Sequence, residues 1–310
     1  MAESWGTVSE HVGNFWRVGP GRVLVLDRPR IMAIVNVTPD SFSDGGEHST
    51  PESAAGFALE AVGAGADVLD IGGESTRPGS ERVSAAEQIR RVVPAIRAVR
   101  RAVGDGPAIT IDTTLAEVAG AALDAGADGV NDVSAGTESL EMAGLCAARG
   151  CGIVLMHRRA APGADVYSHQ YPREPDYGAS GGVVGAVREH LRERAAAVIS
   201  AGVSREAIML DPGLGFGKSV GQNLELVART GEICALGFPV LSGVSRKSFS
   251  AAAGGVAAGA PARERVHASV GLSVVHMLAG ARVFRVHDVA EHGAALRAAW
   301  AARTSGRPGA

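Results

Sequence analysis

The sequence predicts an α/β fold of the (β/α)8 class, the TIM barrel. Segments with helical periodicity separate most members of a series of short apolar runs, and this alternation indicates a parallel sheet. Eight runs fall within about 250 residues, the usual size of a closed barrel of eight strand–helix units. They begin near Met32, Val68, Ile109, Gly129, Ile153, Ile208, Val240 and Val283. A doubly wound open sheet is the alternative fold.

The predicted boundaries divide the 310-residue chain into three parts. Residues 31–303 are expected to form a single barrel domain. Residues 1–30 form an N-terminal lead-in, in which the run RVLVL at 22–26 is typical of a strand or hairpin that caps the barrel bottom. Residues 304–310 are expected to be a disordered tail.

Several segments between the runs have helix signals. Pro51 and Glu52 suit the first turn of a helix over residues 53–64. Apolar residues recur at helical spacing through residues 85–103. The segments 114–125 and 183–201 show a similar pattern. In contrast, residues 158–182 are polar and rich in proline and tyrosine, which indicates either a loop at the catalytic face or a variable insertion.

Composition favours a soluble globular protein, since 46% of the residues are hydrophobic and 20% are charged. A net charge of -3 with mixed signs predicts neither a nucleic-acid nor a membrane partner. No secretory signal or membrane-length apolar run is present, so a cytoplasmic location is expected. Cys146, Cys151 and Cys234 are expected to be buried thiols, with a metal link or a disulfide between the first two as the alternative.

Polar residues follow all eight apolar runs, at the barrel face where active sites lie. Asp112, Asn131 and Asp211 offer acceptors that suit a ligand edge with several N–H donors, because a buried carboxylate is costly without such partners. A second, positively charged set suits an anion such as phosphate. Its members are Arg77, Lys247, Arg285 and His287.

Four strand-end residues have structural interpretations that remain open. Asp132 and Asp288 are equally consistent with helix N-caps. Asp70 suits a simple pairing with an arginine, and His157 suits either a structural histidine or a ligand contact.

The glycine-rich segment DPGLGFGKS at residues 211–219 resembles a phosphate-binding loop only superficially. The phosphate-loop pattern requires a glycine five positions before Gly217, where Pro212 stands. No Ser-His-Asp or Cys-His set with suitable spacing is present, so covalent catalysis is not indicated.

In its motifs the chain closely resembles the dihydropteroate synthase family, over about residues 31–290. The matching phrases occur in family order: IVNVTPDSFSDGG (34–46), DIGGESTRPG (70–79), DT (112–113), NDV (131–133), DPGLGFGK (211–218), SRKS (245–248) and RVHDV (285–289). The resemblance implies that 6-hydroxymethyl-7,8-dihydropterin pyrophosphate condenses with 4-aminobenzoate in an SN1-like reaction. The phrase after His157 departs from the family, which puts contacts from that loop in doubt.

The resemblance also implies a role for each matching residue. Asp112, Asn131, Asp211 and Lys247 would bind the pterin, and Asn36 would ligate a Mg²⁺ ion on the pyrophosphate. Arg285, His287, Thr76 and Arg77 would hold the pyrophosphate. Phe42, Pro78, Phe216 and Ser248 would line the 4-aminobenzoate pocket. The catalytic residues would be Lys247, Arg285 and Asp112, whereas Lys218 is not expected to be catalytic.

Two other functions are consistent with parts of this sequence. A methyltetrahydrofolate methyltransferase would share the Asp/Asn pterin edge, and a non-catalytic pterin-binding paralogue would share the fold.

The family is commonly dimeric, so a homodimer is expected. The apolar residues at 269–279 suit such an interface, but core packing explains them equally well. Loops 36–48 and 72–82 are expected to order over substrate, with permanent packing as the alternative. Sulfonamide sensitivity is weakly favoured.

Overall fold

A closed barrel of eight parallel strands forms the centre of the molecule. The computed structural model describes residues 13–38, 50–178, 181–257 and 260–305. The barrel strands are β3 (Arg30–Asn36), β4 (Val68–Gly72), β5 (Ala108–Asp112), β6 (Gly129–Asp132), β7 (Gly152–Met156), β8 (Ile208–Asp211), β9 (Leu241–Ser242) and β10 (Val283–Val286). Their order is β8-β7-β6-β5-β4-β3-β10-β9, and a parallel bridge between Leu210 and Val240 closes the ring. The predicted (β/α)8 barrel is confirmed, and the open sheet is wrong.

Helices alternate with the barrel strands and surround them. They are α1 (Pro51–Gly63), α2 (Ala85–Val103), α3 (Ala116–Ala125), α4 (Glu141–Arg149), α5 (Gly182–Ser200), α6 (Val220–Ala228), α7 (Thr230–Cys234), α8 (Ser248–Ala253), α9 (Val266–Leu278) and α10 (Val289–Thr304). The four predicted helices are present within two residues at each end. Helix α1 begins at Pro51 behind a capping box formed by Thr50 and Ser53. Helix α10 includes Thr304, and residues 306–310 of the predicted tail lie outside the described part.

The strand register brings polar residues to one level at the carboxyl end of the barrel. The Cα of Asn36 pairs with Gly72, Gly72 pairs with Asp112, and Asp112 pairs with Asn131. Neighbouring parallel strands lie about 4.8 Å apart. The polar residues at the ends of β3, β5 and β6 therefore share one rim, with a small glycine between two of them.

A two-stranded hairpin covers the opposite end of the barrel. Strands β1 (Phe15–Gly19) and β2 (Arg22–Val25) pair antiparallel, and Trp16 and Val18 are fully buried beneath the barrel. The apolar floor that they contact is formed by Met32, Val68, Ala108, Val154, Met209, Leu241 and Val283. The capping hairpin predicted from residues 22–26 is thus present, although its first strand was not predicted. It lies within the predicted lead-in, residues 1–30.

Close backbone approach explains two glycines at the floor. A Cβ atom on Gly152 would lie 2.6 Å from the carbonyl oxygen of Arg17, and one on Gly129 would lie 2.9 Å from that of Val18. Any side chain at either position would push the hairpin away. The indole Nε1 of Trp16 donates to the carbonyl oxygen of Ala207 at 2.9 Å, so its polar atom is satisfied in the buried floor.

The burial of the cysteines and the character of the helices agree with what the composition predicts. Cys146, Cys151 and Cys234 are buried and form no disulfide. The described residues contain no group of three metal-ligating side chains and no helix long and apolar enough to cross a membrane. The disulfide and metal alternatives for Cys146 and Cys151 are therefore wrong within the described part of the chain.

Truncation of Trp16 should reveal how much the floor stabilises the barrel. We expect Trp16→Ala to lower the free energy of unfolding by about 3–5 kcal/mol, because it leaves a large cavity under the strands. Phe15→Ala is the matched control, because Phe15 is 40% exposed on the same strand. Urea denaturation measures both. Equal, small losses for the two variants would show that the hairpin is not a structural floor.

Candidate active site

A large cavity opens at the carboxyl end of the barrel strands. Its volume is about 650 Å³. Every predicted site residue that the structure describes lines it: Asn36, Thr76, Arg77, Pro78, Asp112, Asn131, Asp211, Phe216, Lys247, Ser248, Arg285 and His287. Phe42, predicted for the same site, lies outside the described residues. Residues separated by up to 251 positions in the chain thus converge on one space.

The guanidinium of Arg285 joins two buried carboxylates at the base of the cavity. Its Nε donates to Asp70 and one terminal nitrogen donates to Asp112, each at 2.6 Å. Burial lowers the pKa of Arg285, but the charges of Asp70 and Asp112 outweigh this effect and hold its pKa above the ordinary value. Arg285 therefore supplies a permanent cation, and the prediction that Asp70 pairs with an arginine is confirmed.

Asp70 also organises the neighbouring strands. It is fully buried and accepts the hydroxyl of Thr110 at 2.5 Å and the amide nitrogen of Asn131 at 3.0 Å. The side-chain oxygen of Asn131 is buried without a hydrogen-bond partner among the described residues. Because such an atom is costly to leave unpaired, it indicates an N–H donor supplied by a ligand.

Two further carboxylates face the cavity. Burial raises the pKa of Asp112, with Asp70 adding to the rise and Arg285 opposing it. Burial likewise raises the pKa of Asp211, although the backbone amide of Gly213 donates to its carboxylate at 2.7 Å and opposes the rise. N–H donors from a ligand would favour the ionised form of both groups. The acceptor set predicted from the strand ends is therefore assembled and incompletely satisfied by the described residues.

Lys247 and Phe216 form a second side of the cavity. The Lys247 ammonium lies 3.9 Å from the centre of the Phe216 ring, which is a close cation–π contact. Burial lowers the pKa of Lys247 to about 8, and the positive charge of Arg285 acts in the same direction. Lys247 is thus charged near neutral pH but loses its proton more readily than an exposed lysine.

The glycine loop, residues 212–219, folds around a buried lysine. The Lys218 ammonium is fully buried and donates to the carbonyl oxygens of Gly213 and Phe216, both at 2.8 Å. It also lies 3.0 Å from Nδ1 of His157. Lys218 therefore shapes the loop instead of facing the cavity, as expected. His157 faces Lys218, so its structural interpretation is the one that the geometry supports.

The glycines of this loop are required by close contacts. A Cβ atom on Gly213, whose φ is +68°, would lie 1.8 Å from the carbonyl oxygen of His157. A Cβ atom on Gly215 would lie 3.0 Å from the Lys247 side chain. The loop backbone can therefore approach both the end of β7 and the Lys247 side chain only because these positions have no side chain.

His287 is a hydrogen-bonding group, not a cation. Burial lowers its pKa well below the ordinary value, with Arg246 adding to the effect. The Ser245 hydroxyl oxygen accepts the His287 backbone N–H at 3.1 Å and lies 3.1 Å from the ring Nδ1. A Ser245 hydroxyl that donates to Nδ1 places the proton of the neutral ring on Nε2. The predicted positive charge at His287 is therefore wrong for the free protein.

The N-cap interpretation of Asp132 is wrong, whereas Asp288 does occupy the N-cap position of α10. Asp132 accepts from the backbone amides of Ser134 at 2.8 Å and Gly136 at 2.7 Å, ahead of helix α4. Asp288 precedes α10 but makes no capping hydrogen bond. It instead forms a two-point ion pair with Arg246, at 2.5 and 2.9 Å.

The Arg246–Asp288 pair holds a strained residue beside Lys247. Arg246 has a φ of +57°, which is uncommon for a residue with a side chain. Its backbone amide also donates to Ser269 at 2.9 Å. These contacts fix the turn from which Lys247 and Ser248 enter the cavity.

Sequence reasoning missed several cavity residues. Met156, Tyr167, Arg246 and Arg265 line the cavity but were not predicted. Tyr167 belongs to the polar segment that was predicted to be either a catalytic-face loop or an insertion. Its position confirms the loop at the catalytic face. The proline and tyrosine content was the only signal, and it did not single out a residue.

Together the fold and the site define a barrel enzyme that binds a ligand with N–H donors on one edge and an anionic group. The sequence matches the family described as pterin binding enzyme over residues 32–287, and the chain belongs to that family. Its similarity extends to individual members of the family. A dihydropteroate synthase of Streptococcus pyogenes serotype M3 is 42% identical over 270 residues, 87% of this chain and 94% of its own length.

Solved structures show the same relationship. The dihydropteroate synthase of Xanthomonas albilineans with 4-aminobenzoic acid is 39% identical, with a TM-score of 0.82 over 94% of this chain and 99% of its own. The Yersinia pestis dihydropteroate synthase in a sulfonamide drug complex is 34% identical, with a TM-score of 0.83 over 93% and 99%. The chain thus groups with the dihydropteroate synthases.

The lowered pKa of Lys247 gives a testable pH dependence. Its cationic form is lost as the pH rises through about 8, so kcat/KM should fall above that pH. Lys247→Arg should lower the rate but move this fall to higher pH, because a guanidinium keeps its proton. The pH–rate profiles of the wild-type protein and Lys247→Arg measure the shift, and circular dichroism is the control for unfolding. An unchanged alkaline limb in Lys247→Arg would assign the titration to another group.

Proposed function

We propose that this enzyme of folate biosynthesis condenses 6-hydroxymethyl-7,8-dihydropterin pyrophosphate with 4-aminobenzoate, giving 7,8-dihydropteroate and pyrophosphate. The observation that carries the proposal is the convergence of all twelve described site residues on one cavity of about 650 Å³. Membership of the pterin-binding family and 42% identity to a dihydropteroate synthase support the same reaction.

The pterin is assigned to the acceptor side of the cavity. Its amino-pyrimidinone edge presents N–H donors to Asp112, Asn131 and Asp211, and the buried unpartnered oxygen of Asn131 fits such a donor. Lys247 contacts the ring from the adjacent strand end. The carboxylates gain hydrogen bonds when the pterin binds, which offsets part of the cost of their burial.

The pyrophosphate is assigned to Arg285, His287, Thr76 and Arg77. Arg285 offers a permanent positive charge, while neutral His287 offers a ring N–H. Asn36 lines the cavity wall, and its side-chain oxygen would hold a Mg²⁺ ion that enters bound to the pyrophosphate. Among the described residues no cluster of three acidic or imidazole ligands offers a separate resident site, and Mg²⁺ commonly binds through few protein oxygens together with phosphates.

The reaction is a dissociative substitution at the pterin methylene carbon. The bond from this carbon to the pyrophosphate oxygen breaks, and the bonding electrons leave with pyrophosphate. The amine of 4-aminobenzoate then forms the new C–N bond and loses a proton. Bound Mg²⁺ would neutralise the charge that develops on the leaving group. Arg285 stabilises that charge, while Asp112 and Asp211 stabilise the delocalised pterin cation.

The second substrate is assigned to the side of the cavity formed by Phe216, Pro78 and Ser248. Phe216 and Pro78 offer apolar surfaces, and Ser248 stands at the first residue of α8. We extend the proposal to sulfonamide sensitivity, since the similar Yersinia pestis enzyme was solved in a sulfonamide drug complex. The cytoplasmic location and the homodimer stay predictions, and four residues within 269–279 are explained by burial within the chain itself: Ser269, Ser273, His276 and Met277.

A pyrophosphate-release assay distinguishes this function from its rivals. We expect release from the pterin pyrophosphate to require 4-aminobenzoate and Mg²⁺ and to accompany formation of dihydropteroate. A methyltransferase or a non-catalytic paralogue would release no pyrophosphate under these conditions. Titration calorimetry with the pterin pyrophosphate would then show whether the inactive protein still binds a pterin.

Replacement of Arg285 by lysine should separate charge from geometry. We expect Arg285→Lys to lower kcat about a hundredfold, because an ammonium cannot hold Asp70 and Asp112 together while also contacting pyrophosphate. Arg282→Lys is the control from the opposite end of the strand, where Arg282 donates to the carbonyl oxygens of Met277 and Ala281. Steady-state kinetics measure both, and a kcat near the wild-type value in Arg285→Lys would contradict the assigned role.

A further inference from the structure

The fifth loop, residues 157–178, is attached to the glycine loop through a buried carboxylate. Asp165 is only 8% exposed. One of its oxygens accepts the backbone N–H of Gly217 at 2.8 Å. The other accepts the hydroxyl of Tyr171 and the backbone N–H of Val166. Tyr171 and Val166 fix the carboxylate within its own loop, and the bond from Gly217 is the joint to the glycine loop.

A second contact holds the other side of the same glycine. The Tyr177 hydroxyl donates to the carbonyl oxygen of Gly217 at 2.6 Å. A Cβ atom on Gly217 would lie 2.5 Å from the Cβ of Arg159, so the two loops are in direct contact. Both polar groups of the Gly217 backbone are therefore bound by the fifth loop, one residue after Phe216.

The fifth loop also reaches the start of α8. The backbone N–H of Ser168 donates to the hydroxyl oxygen of Ser248 at 3.2 Å. Ser168 is itself buried, and its hydroxyl accepts the side-chain amide of Asn223 at 3.1 Å. Because the Ser248 oxygen is occupied as an acceptor, its own proton remains available for an acceptor in the cavity. A carboxylate is the acceptor that would gain most from this donor.

Tyr167 precedes this contact and faces the cavity. Its side chain is half-buried and lines the cavity together with Phe216, Pro78 and Ser248. Tyr167 directly precedes Ser168 in the chain, so it belongs to the stretch of cavity wall that the Ser168–Ser248 contact fixes. The loop after β4, residues 72–82, is bonded to the fifth loop as well. The Gly79 backbone N–H donates to the carbonyl oxygen of Pro162 at 2.9 Å.

We infer that the fifth loop is a fixed wall of the 4-aminobenzoate subsite, with Tyr167 as a specificity residue. Asp165 and the Ser168 backbone amide are positioning groups, which act through Gly217 and Ser248. The inference deepens the proposed function and rests on it. It assigns a role to the segment after His157, where the sequence departs from its family.

Tyr167→Ala tests the wall directly. We expect the KM for 4-aminobenzoate to rise about tenfold, roughly the value of one lost aromatic contact. The calorimetric Kd for pterin pyrophosphate should stay unchanged, which also shows that the variant is folded. Tyr167→Phe should restore most of the lost affinity, because it retains the ring. An unchanged KM in Tyr167→Ala would overturn the role of this residue.

Asp165→Asn tests the joint. An asparagine offers one acceptor oxygen and turns an N–H₂ group toward a former donor, so the Gly217 contact or the Tyr171 contact is lost. We expect a rise in the KM for 4-aminobenzoate that is larger than any fall in kcat. Asp176→Asn is the matched control, because the exposed side chain of Asp176 accepts the nearby Gly178 N–H, at 2.7 Å, and makes no contact with the glycine loop among the described residues.

The outcomes separate this inference from the proposed function. Wild-type protein that releases no pyrophosphate would overturn the function itself. Active wild-type protein with equal KM values in Asp165→Asn and Asp176→Asn would overturn only the fifth-loop joint. A rise in the pterin Kd that matches the rise in the 4-aminobenzoate KM would show a general loosening of the barrel mouth and would likewise overturn the assignment.

Discussion

The buried contact of Arg285 with Asp70 and Asp112 is the constraint on which the site depends. It joins strands β10, β4 and β5, and the further bonds from Asp70 extend the network to β6. Buried charges destabilise a protein strongly when they lose a partner, so the relative positions of these strands are tightly specified. The acceptors that face the cavity are thus held by the same network that contains the Arg285 cation, to which the proposed function assigns the leaving group.

A second buried basic group, Lys218, has a contrasting role in the loop that follows β8. Lys218 is surrounded by carbonyl oxygens of its own loop and is closed off from the cavity, while Lys247 faces the cavity across the Phe216 ring. Both lysines follow glycine-rich or strand-end turns in the sequence. Their functions differ because one ammonium satisfies backbone acceptors and the other remains available to a ligand.

The sequence predicted the barrel and the cavity residues well, because strand and helix periodicity and strand-end polar residues are local signals. It did not predict contacts that depend on distant partners. Asp288 does stand at the start of α10, but its carboxylate pairs with Arg246, 42 residues earlier in the chain. The charge of His287 was misjudged because burial arises from tertiary packing. The fifth loop has no periodicity, and its contact from Ser168 to Ser248 spans 80 residues.

The hairpin under the barrel has a consequence for how the chain is made. Its two strands precede the barrel strands in the chain and so leave the ribosome before them. Trp16, however, is bonded to Ala207, and the floor also includes Leu241 and Val283. Contacts at such sequence separation form slowly. The apolar face of the hairpin therefore stays uncovered until the last barrel strands have been synthesised, and exposed apolar surface of this kind favours aggregation.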